Sequence, residues 1–205
     1  MTQDIPQVKE RRKIHPHKFA MWMAMGSISM MFAGLTSAYV VRQAQGNWRY
    51  YNLPVVFWYS TFAIFLSSIT LIMGVKAYKN REMGKFKGLI TITMILGLLF
   101  GALQYTGFYQ LFHQLQLVRI NGQVLNTSEN VRINGNPSES FLYIIAGLHL
   151  AHLFGGIIAL IVVFFKAFSK KVKVYNATGL EIVSSYWHFM DILWIYLFIF
   201  FLANQ

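Results

Sequence analysis

The chain has 205 residues, of which 56% are hydrophobic and only 12% charged, with no cysteine and a formal net charge of +11. A soluble domain carries roughly 25% charged residues, so this deficit, with a mean hydropathy of +0.45, makes lipid the solvent. Lack of cysteine excludes a disulfide framework, an iron–sulfur cluster, a thiolate zinc site and a Cys-x-x-Cys-His haem attachment. The positive charge does not imply nucleic acid, because the basic residues cluster in short segments between apolar runs, as topology signals do.

Residues 1–18 form a basic polar segment with no cleavable secretory signal. A membrane span needs about 20 apolar residues, and five stretches qualify: 19–41, 55–75, 88–108, 141–165 and 183–202. Residues 19–205 therefore read as one all-α membrane domain of five transmembrane helices. Fourteen of the eighteen Lys and Arg residues fall before the first span, between spans two and three, or between spans four and five. Only Arg42, Arg49, Arg119 and Arg132 lie on the other side. Short basic loops stay in the cytoplasm, which places the N-terminus inside and the C-terminus outside. Trp22, Trp48, Trp58, Tyr105 and Tyr109 lie near span ends, where interfacial anchors belong.

The long loop 109–140 is expected outside the membrane. Within it, Leu117–Ile120 and Gln123–Leu125 flank Asn121-Gly122, the pattern of a hairpin with a type I′ turn.

Span four contains two histidines, His149 and His152, which fall about 60° apart on one helical face. Gly147, Ala151, Gly155 and Ala159 repeat every four residues on another face and predict a groove for close helix approach, with Gly97 and Gly101 of span three as a possible partner. Span five carries Ser184, His188 and Asp191 at i, i+4 and i+7, a polar stripe. At about 1.5 Å of rise per residue, His152 and Asp191 reach similar depths, so a hydrogen bond between them is expected if spans four and five are neighbours. An unpaired Asp at that depth costs at least about 2.5 kcal/mol. Three uses of these groups compete. A metal or haem site would draw on His149, His152, His188 and Asp191, but lacks the several carboxylates of a di-iron bundle. A proton relay would need a polar path, and the residues from Asp191 to the outer face are apolar and aromatic. Interhelical tethering needs nothing more and is preferred.

Three segments carry a family resemblance. AGLHLAHLFGG (146–156), SSYWHFMDILWIYLF (184–198) and MMFAGLTSAYVVRQ (30–43) resemble, in order, stretches of subunit III of the haem-copper oxidases, the cytochrome c oxidase type. The final-helix segment is the most specific of the three. The resemblance implies the short five-helix form, with a V-shaped, lipid-filled cleft between two helix groups, in the bacterial cell (inner) membrane. It implies an accessory subunit without a catalytic centre, haem or copper of its own. Such a subunit binds oxidase subunit I directly, and with subunit II and other respiratory-chain subunits serves aerobic electron transport, supporting proton uptake and binding phospholipids. Arg42, Arg49 and Arg81 are candidates for lipid phosphates, and Trp58 and Trp187 for acyl chains. Ile28 stands near a position where many members have a buried Glu, so no role of that carboxylate carries over. A quinol oxidase subunit III, a nitric oxide reductase accessory subunit and, from another class, a membrane metalloenzyme are the alternatives.

Overall fold

The computed structural model describes residues 16–45, 53–120, 123–126, 137–169 and 178–204. Five helices dominate: α1 Pro16–Ala44, α2 Val56–Lys79, α3 Met83–Gln116, α4 Pro137–Phe168 and α5 Thr178–Ala203. Each coincides with one expected span, α2 starting one residue later than expected and the other four containing theirs, and each is long and apolar enough to cross a membrane. All run past the apolar stretch that announced them. Hydropathy marks only the part of a helix that needs lipid, whereas backbone hydrogen bonding continues until something breaks it. The clearest case is α3, whose 34 residues would span about 51 Å against a hydrocarbon layer of about 30 Å. Its last turns, through Gln110, Leu111, His113 and Gln116, take the first eight residues of the expected outer loop into the helix, because no Gly or Pro interrupts them.

Proline marks the helix starts. Pro16 and Pro137 are the first residues of α1 and α4, where the missing N–H is not needed. Pro54 accepts a hydrogen bond from Phe57 at the entry to α2. The turn between α2 and α3 is a Schellman closure. Glu82 N–H donates to Ala77 O and Arg81 N–H to Tyr78 O, with Arg81 in the left-handed region at φ 61°.

Two strands, β1 Leu117–Ile120 and β2 Gln123–Asn126, pair antiparallel with Ile120 opposite Gln123. That register leaves Asn121 and Gly122 as the two-residue connection, as expected; the turn residues themselves lie outside the described residues.

α5 is the spine. It packs against α1, α2 and α4, while α2 and α3 form a closely packed antiparallel pair and α3 also packs on α4. The core is aromatic and aliphatic: Phe32 and Tyr39 from α1, Phe57 and Ile64 from α2, Phe100 and Phe108 from α3, Leu153 and Leu160 from α4, and Trp187 and Trp194 from α5 are all buried. The outside is apolar too. Phe19, Phe62, Phe65, Phe154, Phe165 and Ile199 are each more than half exposed, a distribution that suits lipid and not water. Contacts between Lys18, Lys79 and Glu181, between Tyr78 and Phe86, and between Lys87 and Phe168 gather the start of α1, the α2–α3 turn and the facing ends of α4 and α5 at one end, called here the basic end. The hairpin follows the opposite end of α3.

Candidate functional site: the polar seams of the bundle

Inside hydrocarbon, a polar side chain must find its partner within the protein. Of the stripe on α5, His188 does so on α2. His188 Nδ1 lies 2.6 Å from Ser68 Oγ and 3.7 Å from Asp191 Oδ2. The second distance exceeds a hydrogen bond, and neither oxygen of buried Asp191 has a hydrogen-bond partner among the described residues. Ser184, at the start of the stripe, is buried.

The indoles of α5 also turn to α2. Trp187 Nε1 donates to Ser67 Oγ at 3.2 Å, and Trp194 Nε1 donates to Thr61 Oγ1 at 3.0 Å. Trp187 is therefore a core residue, 1% exposed, and not the acyl-chain contact expected from the sequence. Its indole is gripped on both sides by glycine: a Cβ on Gly97 would lie 2.9 Å from its Cη2, and one on Gly156 3.5 Å from its Cε3.

The two histidines of α4 part company. His149 is fully buried and stacks on Trp194, ring centroids 5.2 Å apart, with neither ring nitrogen hydrogen-bonded to any described residue. His152 turns the other way. Its Nδ1 is 2.7 Å from Leu148 O of its own helix, its ring meets the Phe32 ring of α1 edge-on at 6.0 Å, and its carbonyl accepts a hydrogen bond from Tyr186 Oη at 3.0 Å. The expected His152–Asp191 bond is thus not formed. The helix rotations separate the two: Asp191 lies beside His188, which bonds Ser68 of α2, and the His152 ring meets Phe32 of α1. His149, His152, His188 and Asp191 consequently do not converge, and among the described residues no three His, Asp or Glu side chains are grouped as metal ligands.

The small-residue groove also needs correcting. Among the described residues nothing lies within 4 Å of a Cβ placed on Gly147 or Gly155, so this face of α4 is not packed against another helix of the chain. Gly97 and Gly101 do receive α4, but through Leu160 and Ile157. The tightly packed glycine of α4 is Gly156, one position beyond the expected stripe.

Sequence reasoning missed the other half of the seams. Ser60, Ile64, Ser67 and Leu71 form one buried stripe of α2. Gln104 Nε2 of α3 donates to Ser60 Oγ at 3.0 Å, and Thr70 and Thr93 hydroxyls pair at 2.9 Å. On the α1 side, Thr36 donates back to Phe32 O at 3.0 Å and meets Tyr196 Oη at 2.7 Å. A lone Gln in an apolar span was the available signal; the hydroxyls were not, since Ser and Thr also satisfy themselves on their own helix. At the basic end, Glu181 pairs with Lys18 of α1 and with Lys79 of α2, the latter at 2.8 Å.

The remaining lipid candidates scatter. Trp58 is 56% exposed and meets Phe198 edge-on at 5.0 Å. Arg42 is exposed and hydrogen-bonds Gln45. Arg81 sits at the turn of the basic end, and Arg49 lies outside the described residues.

A five-helix bundle tied by such seams, with the polar and aromatic residues of α5 at its centre, defines a multi-pass integral membrane protein. Residues 54–203, which cover α2 to α5, match the sequence profile of cytochrome c oxidase subunit III. The chain is 33% identical over 184 residues to a probable cytochrome c oxidase subunit 3 of Nocardia farcinica, covering 85% of this chain and 81% of that one. It is 25% identical over 182 residues to a cytochrome c oxidase subunit 3 of Bacillus sp. strain PS3, covering 86% and 80%. A probable quinol oxidase subunit 3 of Staphylococcus haemolyticus is 30% identical over 190 residues, covering 89% and 86%. The chain belongs to the cytochrome c oxidase subunit III family.

Proposed function

We propose that this chain is the accessory third subunit of a bacterial respiratory haem-copper oxidase, without a catalytic centre of its own, docked directly on subunit I. One observation carries the reading within the family. His188 and the indoles of α5 reach hydroxyls of α2, and of the four residues best suited to bind a metal only His188 and Asp191 lie near each other, while His149 stacks on Trp194 and His152 turns to Leu148 O of its own helix. Such a chain contributes packing to the complex, while electron transfer and oxygen reduction belong to the haems and copper of partner subunits. Its role in turnover is then indirect, through the integrity of subunit I and its proton uptake. The basic end faces the cytoplasm, on the distribution of Lys and Arg, so the N-terminus is inside and the C-terminus outside the inner membrane. Phospholipids bound around Arg42, Trp58 and Arg81, and in a cleft between helix groups, belong to the same reading.

The test is deletion. An oxidase lacking this chain starts turnover at a substantial rate and then inactivates faster than the complete complex. Complete loss at the first turnover, with subunit I folded and its haems intact, would overturn the proposal, as would a stoichiometric metal in the purified chain. Cytochrome c is the first candidate donor. The similarity to a quinol oxidase subunit supports a quinol as the second, and oxidation of reduced cytochrome c against quinol by the purified complex separates the two.

A further inference from the structure

Both α1 and α2 pack on α5 but hardly touch each other, so a groove floored by α5 runs between them. At the basic end it opens into a cavity of about 330 Å³, lined by Lys18 and Trp22 of α1, Val75 and Lys79 of α2, and Glu181 and Ser184 of α5. Glu181 pairs with both lysines, which keeps the mouth charged. Ser184 is buried and begins the polar stripe of α5. One turn further in stands His188, whose side chain is 28% exposed although it lies within the span. Asp191 follows, buried, with neither oxygen bonded to a described residue and Oδ2 3.7 Å from His188 Nδ1. Beyond it Leu193 and Trp194 are buried and close the core. The polar groups thus form a path open at one end only. Among the described residues no other ionisable group reaches the His188–Asp191 pair. The neighbour on α2 is Ser68, 2.6 Å from His188 Nδ1. On α4, His152 turns to Leu148 O and His149 to Trp194. On α5, Tyr186 turns to His152 O and Tyr196 to Thr36, and the charges of Lys18, Lys79 and Glu181 stay at the mouth.

We infer that His188 and Asp191 form a proton-binding site that fills and empties from the basic end alone, through water in the cavity and past Ser184. This rests on the reading of the chain as a membrane subunit with its basic end in the cytoplasm. Ser184 and His188 are about 6 Å apart along the helix axis, a gap that one water bridges with a hydrogen bond of about 2.8 Å on each side. The two groups of the pair are close enough to titrate as a unit. Ser68 reads the load. A bare His188 Nδ1 accepts a hydrogen bond from the Ser68 hydroxyl, whereas a protonated one donates to Ser68 Oγ or turns to Asp191. The proton thereby sets the link between α2 and α5. Because the far end is apolar, the site holds a proton and does not conduct one across the membrane.

The test uses the whole oxidase complex in sealed vesicles of known orientation. Since the chain has no cysteine, Ser184→Cys and Leu193→Cys each place a single thiol on it, and a charged, membrane-impermeant thiol reagent is applied to either side. Ser184→Cys should react from the side of the basic end, and Leu193→Cys from neither. Protonation is read by infrared difference spectra as the pH is stepped. A carboxyl C=O signal should titrate, shift in heavy water and vanish in Asp191→Asn. His188→Gln should displace its midpoint by about one pH unit or more, and Ser184→Ala should slow its exchange with deuterium. A stripe that only ties helices together would show none of these. Silence of Ser184→Cys from both sides overturns the site even if the His188 and Asp191 variants fail to assemble. So does the absence of any titrating signal that Asp191→Asn removes, over the pH range in which the complex stays assembled. Reaction of Leu193→Cys overturns the closed far end. Reaction of Ser184→Cys from the opposite side alone overturns the cytoplasmic entry, and with it the orientation of the chain. Co-purification with the oxidase is scored separately and tests the accessory-subunit reading alone.

Discussion

Adding one methyl group at Gly97 separates the packing described here from the packing that the small-residue pattern of α4 suggests. An alanine Cβ at Gly97 would meet Trp187 at 2.9 Å and 3.0 Å, and Leu160 at 3.5 Å. Carbon atoms rest at about 3.5–4.0 Å, so the indole would have to retreat by about 0.6 Å. Its Nε1 is bonded to Ser67, and its other side lies against Gly156. Overpacking of this kind costs about 1–3 kcal/mol. Replacing a helical glycine by alanine also gains about 0.5–1 kcal/mol from backbone entropy, and that gain is common to every such substitution. Gly147→Ala and Gly155→Ala, with nothing within 4 Å, should show the gain alone. The decisive quantity is therefore the difference: Gly97→Ala should be about 1–3 kcal/mol less stable than Gly147→Ala.

Because the chain has no cysteine, a single Ala63→Cys reporter at a buried position of α2 reads opening directly. Labelling of its thiol is followed in the assembled oxidase as the detergent sodium dodecyl sulfate is titrated. Trp187→Phe shortens the ring and should rescue Gly97→Ala, giving a coupling of about 0.5–3 kcal/mol. Equal midpoints for Gly97→Ala and Gly147→Ala, or no rescue by Trp187→Phe, would refute the assigned packing.

The same reporter separates the two histidine neighbourhoods. His188→Ala and Asp191→Ala should be non-additive by about 0.5 kcal/mol or more, and His152→Ala with Asp191→Ala additive within about 0.5 kcal/mol; the reverse pattern would restore the His152–Asp191 contact. Tyr196→Phe removes the hydroxyl that meets Thr36 and should loosen α1 by about 0.6 kcal/mol, the mean for interhelical hydrogen bonds in membranes. Glu181→Gln should loosen α1 by about 1 kcal/mol or less, with the difference from wild type shrinking at high salt; a salt-independent loss would rule out the ion pairs as the cause. Reporter fusions at Asn126 and Lys171 should report opposite sides of the membrane, and identical readings would sink the five-span topology.

The number and order of the helices were legible because each needs an unbroken apolar run, and no other residue pattern mimics one of that length. Their ends were not, because the helix persists through polar residues such as Gln110 and Gln116, which hydropathy scores as loop. The hairpin was legible from Asn121-Gly122 between the two β-prone stretches Leu117–Ile120 and Gln123–Leu125, since few dipeptides suit a two-residue hairpin turn. Helix rotation was the hardest to read. In a soluble bundle the apolar stripe shows which face turns inward, but here lipid accepts the outer face of every helix and the stripe disappears. Depth could be computed for His152 and Asp191 from rise per residue, but azimuth could not, and azimuth is what separates them. The same ambiguity put the close approach on Gly147 and Gly155 instead of Gly156, one position and about 100° away.

The stretch of α5 that carries the most specific family resemblance is best understood through its rotation. Successive residues of Tyr186-Trp187-His188 point to different neighbours: Tyr186 to the carbonyl of His152 on α4, Trp187 to Ser67 and His188 to Ser68 on α2. Two turns further along, Trp194 bonds Thr61 on α2 and carries His149 of α4 on its ring, and Tyr196 reaches Thr36 on α1. Each contact is modest, since interhelical hydrogen bonds in lipid average about 0.6 kcal/mol. Together they fix the azimuth of α5 against three helices at once, something the non-directional attraction of apolar side chains in lipid cannot do. A motif of histidine, aspartate and aromatic residues in hydrophobic helices resembles a chemical centre because catalysis also needs directional groups. In this bundle the direction is used to set how the helices turn toward one another.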